Sequence, residues 1–194
     1  MFTPRETLIA RDDLVLVIID VQDKLAAAMP HRDRVIAAVN RLARTAALVG
    51  APLILTRQYP QGLGPTVPQV EDTLLDLAQH GARVSGVDKT AFCCASEESF
   101  LEALSATGRR QVVLVGMETH ICVAQTALAL SGTGFQVQVA ADACCSRDDE
   151  MHELALQRMR HGGIIVTTSE SVMYESVARA GTDEFKSLLR IVKE

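Results

Sequence analysis

The sequence predicts an α/β fold: a three-layer, Rossmann-like sandwich with a six-stranded parallel sheet and helices on both faces. Two observations carry the prediction. Short apolar runs alternate with longer amphipathic stretches, the pattern of repeated βα units. The first run, Leu14-Val15-Leu16-Val17-Ile18-Ile19, contains no polar residue, as expected of a parallel strand covered on both faces. The chain has 194 residues, 48% hydrophobic but only 4% aromatic. That length supports one sizeable core, built from Val, Leu, Ile and Ala. No composition shift or internal repeat divides the sequence, so residues 1–194 are expected to form one domain.

The elements follow in order. Strand one is Leu14–Ile19. A helix over about 34–49 stops at Gly50, a residue suited to a helix C-terminus. Strand two covers 52–56. The segment 58–68 holds three prolines and two glycines and reads as an irregular loop, of the kind that often covers a site. A short strand three covers 82–87. Ser96 is placed to cap a helix over 97–106, whose first turn is rich in glutamate. Strand four is 111–115, and its helix runs from Ala124 to about Ser131. Strand five is 136–140, followed by a loop at 141–146. Asp148 and Asp149 stand near the start of a helix that ends by Gly162-Gly163. Strand six is 164–167, Ser169 caps a helix to about Ala178, and Asp183–Val192 forms the last helix.

Composition narrows the function classes. Net charge is −5 and the basic residues are scattered, which argues against nucleic acid as the main partner. No apolar run approaches the ~20 residues of a membrane span. The first seven residues lack the apolar core of a signal peptide, so the cytoplasm is the expected location. Five cysteines, two pairs of them adjacent, do not form a disulfide framework. The histidines are dispersed, and no spacing suggests zinc.

The chemistry concentrates at strand ends. Cys122 lies in Gly116-Met117-Glu118-Thr119-His120-Ile121-Cys122-Val123, between strand four and its helix. Unpaired N–H groups and the positive end of a helix dipole favour a thiolate there. Asp20 ends the first apolar run. Lys89 lies in Asp88-Lys89-Thr90-Ala91-Phe92. Taken singly, Cys122 reads first as a packed core thiol and Lys89 as a solvated surface lysine, while Asp20 reads equally as a helix cap. Together, in this order at three loop edges, they form a candidate nucleophilic site. Gln22, Tyr59, Phe92 and His120 are weaker candidates for substrate contact. Cys93 and Cys94 stand close to Lys89 in sequence, and one of them could line the pocket.

On these motifs the chain resembles the isochorismatase-like, or cysteine hydrolase, superfamily over nearly its whole length. Ile18-Ile19-Asp20-Val21-Gln22 is similar to the family's first-strand motif, Asp88–Phe92 to its lysine motif and Gly116–Val123 to its cysteine motif. The 58–68 segment further resembles the isochorismatase domain-containing protein 2 branch. The resemblance implies a Cys122 nucleophile, Asp20 as proton acceptor and donor, and Lys89 as the cation holding both. It also implies a cis peptide between Met117 and Glu118, with the backbone N–H groups of Glu118 and Cys122 aimed at an oxyanion.

Nicotinamidases of the superfamily bind a metal through an Asp-x-His after strand two. Gln58 and Pro60 occupy those places here, so no metal is expected, and no other cofactor. The expected partners are a small-molecule substrate and further copies of the chain in a homo-oligomer. Two further readings stay open beside hydrolysis of an amide or related carbonyl. One is vinyl-ether hydrolysis of the isochorismatase type, and the other is a non-catalytic scaffold that retains the fold. A thiol redox sensor is a less favoured reading, since it needs a resolving cysteine near Cys122.

Overall fold

A computed structural model describes residues 7–193; the segment read for a signal peptide lies, up to Glu6, outside them. Among these residues six strands, β1 (Leu14–Ile19), β2 (Leu53–Gln58), β3 (Val84–Lys89), β4 (Gln111–Met117), β5 (Gln136–Cys145) and β6 (Ile165–Thr167), form one sheet in the order β3-β2-β1-β4-β5-β6. Every neighbouring pair is parallel. The predicted α/β class holds.

The residues of β1 alternate between two cores. Leu14, Leu16 and Ile18 pack toward α2 (Arg32–Leu48), α4 (Pro68–Gln79) and α8 (Ser169–Val177). Val15, Val17 and Ile19 pack toward α5 (Glu98–Ala106), α6 (Ala124–Gly132) and α7 (Asp149–His161). Successive side chains of a strand point to opposite faces, so an uninterrupted apolar run feeds both layers. Each fully buried Val, Leu or Ile contributes about 1.5–3 kcal/mol of transfer free energy. Helix α9 (Asp183–Val192) lies against the first layer through Leu188.

Several boundaries differ from expectation for identifiable reasons. The 58–68 segment is not irregular throughout. Gln58 ends β2, and Pro60–Leu63 is a short helix, α3. Helix α4 was not anticipated, nor was the five-residue α1 (Asp23–Ala27). Pro60 and Pro68 stand in the first turns of α3 and α4, where a missing N–H costs nothing. The 141–146 segment is not a loop either: β5 continues to Cys145, pairing Cys144 with Gly116 and Cys145 with Met117 after a register shift in β4. Ser96 does not cap α5; Glu97 precedes it. Thr168, not Ser169, caps α8, its hydroxyl accepting from Ser171 N–H. The Asp148 side chain caps α7 as the aspartates there suggested.

The strand order puts β1 beside both β2 and β4. Chain connections run outward in opposite directions from this pair, which opens a crevice at the carboxyl ends. Asp20 leaves β1 at that edge, and the cysteine turn leaves β4 beside it. Among the described residues no helix is long and apolar enough to cross a membrane.

Candidate active site

Three consequences of strand geometry assemble the site. Thr56 pairs with Ile19, Val87 with Thr56, and Lys89 with Gln58. Ile19, Ile54 and Val87 belong to the core beneath α5–α7, so the period of two places Thr56, Gln58 and Lys89 on that same face. Cys122 and Cys94 pack in that core too. Lys89 begins two strands away from Asp20, and its long stem crosses the end of β2 to reach it.

The Asp20–Lys89 pair is the centre of the arrangement. Lys89 Nζ donates to Asp20 Oδ2 at 2.7 Å, and neither side chain is exposed. Asp20 Oδ1 accepts from Thr56 Oγ1 at 2.7 Å. Lys89 Nζ also faces Gln58 Oε1 at 2.6 Å and the carbonyls of Ala91 and Phe92 at 3.2 and 3.4 Å. An ammonium has three N–H groups, and four acceptors surround them. Burial alone would lower the Lys89 pKa, but Asp20, Cys122 and Cys94 outweigh it and raise the group above its ordinary value. Lys89 is therefore a fixed cation rather than a proton carrier. Asp20 itself adopts φ 54, a left-handed conformation that costs a non-glycine residue about 1–3 kcal/mol and that Asp tolerates better than most.

Cys122 is buried, 5% exposed, in a π-helical turn, Thr119–Val123, that leads into α6. The predicted first α-helical turn is thus a wider one. Its thiol lies within the electrostatic reach of both Asp20 and Lys89. Burial, then Asp20, push the Cys122 pKa above the ordinary thiol value, and Lys89 opposes them without prevailing. This direction runs against the thiolate that the position before a helix favours. Cys94 is fully buried, and burial pushes its thiol up to about 11. Its backbone N–H donates to Thr126 Oγ1 at 3.0 Å, and its sulfur lies within the electrostatic reach of Lys89 and Cys122, so of the vicinal pair it is Cys94 that joins the site.

The turn around Cys122 is tied to the end of β5. Met117–Glu118 is a cis peptide. The Glu118 carboxylate accepts from Arg147 N–H at 3.0 Å and lies 3.2 Å from Arg147 Nη2. Thr119 Oγ1 and His152 Nδ1 are 2.9 Å apart, as are His120 Nδ1 and Ser146 Oγ. His120 is thus held by a serine and lies outside the hydrogen bonds of the Asp20–Lys89 centre.

The weaker candidates divide. Gln22 is fully buried, and its carboxamide clamps β2, accepting from Gln58 N–H at 2.7 Å and donating to the Gln58 and Gly64 carbonyls at 3.0 and 2.7 Å. Those bonds engage the amide in holding the backbone, not the Asp20 carboxylate. Tyr59 and Phe92 are each 55% exposed and flank Lys89: Tyr59 N–H donates to the Lys89 carbonyl at 2.8 Å, and Phe92 offers its own carbonyl to Nζ. A cleft of about 180 Å³ opens beside Tyr59, reaching from Tyr59 and Pro60 to Lys89 and Glu97.

Thr56, and Gln58 as the partner of Lys89, were not recognised from sequence. Gln58 Nε2 also donates to the Thr90 carbonyl at 2.7 Å. Its amide is committed, and Pro60 supplies no donor atom, so these residues do not fit the metal of the nicotinamidase branch.

The Glu97 carboxylate accepts from Thr90 and Ala91 N–H at 2.8 and 2.7 Å, and so braces the loop whose carbonyls hold Lys89. These backbone N–H groups lower its pKa. A depressed carboxylate stabilises the fold above its unfolded pKa and loses that contribution as pH falls through the folded value. Glu97→Gln is expected to reduce stability above the ordinary value of 4.5, with the gap to wild type closing on acidification. Urea unfolding across that pH range reads it.

The sequence model of the Isochorismatase domain matches residues 15–171. Isochorismatase domain-containing protein 2A of Mus musculus is 37% identical over 185 residues, covering 93% of this chain and 82% of that protein. Isochorismatase domain-containing protein 1 of Danio rerio is 38% identical over 174 residues, 90% of this chain but only 59% of the relative's length. Among solved structures, a MAR1 ribonuclease from Caenorhabditis elegans aligns with a TM-score of 0.87 at 30% identity, over 96% of this chain and 93% of that one. YcaC from Pseudomonas aeruginosa, solved with hexane-2,5-diol and covalent acrylamide, aligns at 0.85 and 25% identity, over 98% and 93%. The family model spans most of the chain and the mouse relative matches it over nearly its whole length: the chain belongs to the isochorismatase domain family.

Proposed function

We propose that this chain is a cofactor-free hydrolase of a small amide or related carbonyl compound, working through Cys122. The observation that carries the reading is the buried Asp20–Lys89 pair set against the Cys122 thiol. Cys122 attacks the carbonyl carbon as its proton passes to Asp20, forming the S–C bond and a tetrahedral oxyanion. The backbone N–H groups of Glu118 and Cys122 are the candidate donors to that oxygen. Collapse breaks the C–N bond, and the proton on Asp20 leaves with the amine. Water then gives a proton to Asp20 as its oxygen attacks the thioester, and the proton returns to sulfur as the acid departs. Lys89 stays charged throughout and steadies each anionic form.

Asp20 is bonded as a base, since both carboxylate oxygens accept hydrogen bonds, from Lys89 and Thr56. A vinyl-ether hydrolase would need Asp20 to begin the reaction as proton donor, whereas the amide reaction begins with it as acceptor. The ribonuclease name stays with the nematode protein, since the cation of this site is consumed by Asp20. The covalent acrylamide in the YcaC relative fits a site that admits small amides. An octameric YcaC from Escherichia coli, 25% identical, supports the expectation of a homo-oligomer.

The test is ammonia release from a panel of small amides, with the thioester sought by intact-protein mass spectrometry. Asp20→Asn and Cys122→Ala are each expected to lower turnover by about 10³-fold or more, while His120→Ala retains it. Alkylation of Cys122 should keep rising with pH beyond the ordinary thiol pKa of ~8.5, and Lys89→Met should move that rise higher still. Turnover by Cys122→Ala at the wild-type rate would overturn the reading.

A further inference from the structure

Among the described residues, the charged groups nearest Cys122 are paired with each other. Lys89 is the cation whose field reaches the thiol, and its N–H groups face Asp20, Gln58 and two backbone carbonyls. Asp20 has its counter-charge at 2.7 Å. Burial pushes the Cys122 and Cys94 thiols above their ordinary values, which favours their neutral forms. The charged groups farther out are engaged as well. Arg147 lies on Glu118, Arg57 donates to Asp88 at 2.6 Å, and Lys24 donates to the Gly62 carbonyl at 2.8 Å. Arg34, on α2, acts on Cys145 and His152 and is not among the main charges acting on Cys122. The exposed side chains flanking Lys89, Tyr59 and Phe92, are aromatic.

From this we infer that the substrate is electrically neutral: a small uncharged amide or carbonyl compound, not a carboxylate. The inference rests on the hydrolase reading and narrows it. A substrate bearing a carboxylate near its reacting carbon would stand beside the Asp20 carboxylate in a desolvated pocket. No N–H of the local cation is left to compensate it, and like charges repel strongly at that range. A neutral amide asks nothing of Lys89. It presents one carbonyl oxygen for backbone donors and an apolar body for the Tyr59 and Phe92 rings.

The experiment compares iodoacetamide with iodoacetate, which differ little in size but by one charge. Labelling of Cys122 is followed peptide by peptide at about pH 9, above the ordinary thiol pKa, with N-acetylcysteine as the reference thiol. The ratio of amide to carboxylate rates at Cys122 is expected to exceed the reference ratio by about tenfold or more. A ratio at or below the reference overturns the inference. So does failure of iodoacetamide to label Cys122 while the reference thiol reacts in full, because a neutral molecule of that size must reach the sulfur. The two ideas fail separately. A strong preference for iodoacetamide without turnover of any amide removes the hydrolase reading and leaves the charge selectivity standing. Turnover of carboxylated amides in preference to matched neutral ones does the reverse.

Discussion

Lys89→Met is expected to lower the unfolding free energy by about 3–5 kcal/mol, and Asp20→Asn by a similar amount. The double variant is expected to lose far less than the sum. Both side chains are fully buried and 2.7 Å apart. Removing either one leaves a charge in a dry interior without its counter-charge, and that penalty dominates the loss, not the worth of the pair itself. Removing both takes the uncompensated charge away. What remains is the repacking of a methionine against Gln58 and an asparagine against Thr56. Against a typical total stability of about 5–15 kcal/mol, each single variant sits near the threshold of folding, and the double variant sits above it. Urea unfolding of the four proteins gives the coupling energy directly. Additive losses would mean that solvent reaches the pair and that the charges do not depend on each other. The double variant also separates the two roles of Asp20: it should be folded and inactive.

That pair was legible in the sequence only as two residues at strand ends. Asp20 followed an apolar run and Cys122 followed another, so parallel-sheet logic placed both at one edge. Lys89 was named beside them, but taken alone it read as a solvated surface lysine, and the resemblance supplied its role. Thr56 and Gln58 carried no signal, since a threonine or glutamine near a strand end is ordinary. They become part of the site only once the order β3-β2-β1 sets β2 between Lys89 and Asp20. Helix α4 was missed because Pro68 was read as punctuation, when a proline in the first turn is a helix start. The far half of β5 was missed because Ala141-Asp142-Ala143-Cys144-Cys145 lacks the β-branched residues that mark strands. It is strand because the end of β4 pairs with it, and that pairing is a tertiary fact. The thiol of Cys122 was expected to ionise easily from its position before a helix. Burial and a neighbouring carboxylate push the thiol up and Lys89 does not offset them, and neither is visible along the chain.

Gly116→Ala is expected to be the most damaging addition of a single methyl group in this protein. A Cβ at Gly116 would stand 2.0 Å from the Ile19 carbonyl oxygen and 2.8 Å from the Ile19 carbonyl carbon and amide nitrogen. The obstacle is backbone, so no rotamer relieves it. Gly116 also has φ 120, a region that side-chain-bearing residues rarely enter. The strand cannot step aside. Gly116 is in register with Ile19 on β1 and with Cys144 on β5, and it follows the register shift through which the end of β4 pairs with Cys144 and Cys145. The close approach has a consequence for the site: Asp20 follows Ile19 directly, and the cysteine turn follows Met117. The spacing that a methyl group would force open is the spacing between carboxylate and thiol. A loss of about 4 kcal/mol or more is expected, seen as little soluble protein and a collapsed Tm. Gly132→Ala is the matched control. Gly132 ends α6 with open space where its Cβ would go, and alanine there should gain up to about 1 kcal/mol. A Gly116→Ala protein with the wild-type Tm and an intact Cys122 alkylation profile would show that β1 and β4 are not held at this distance.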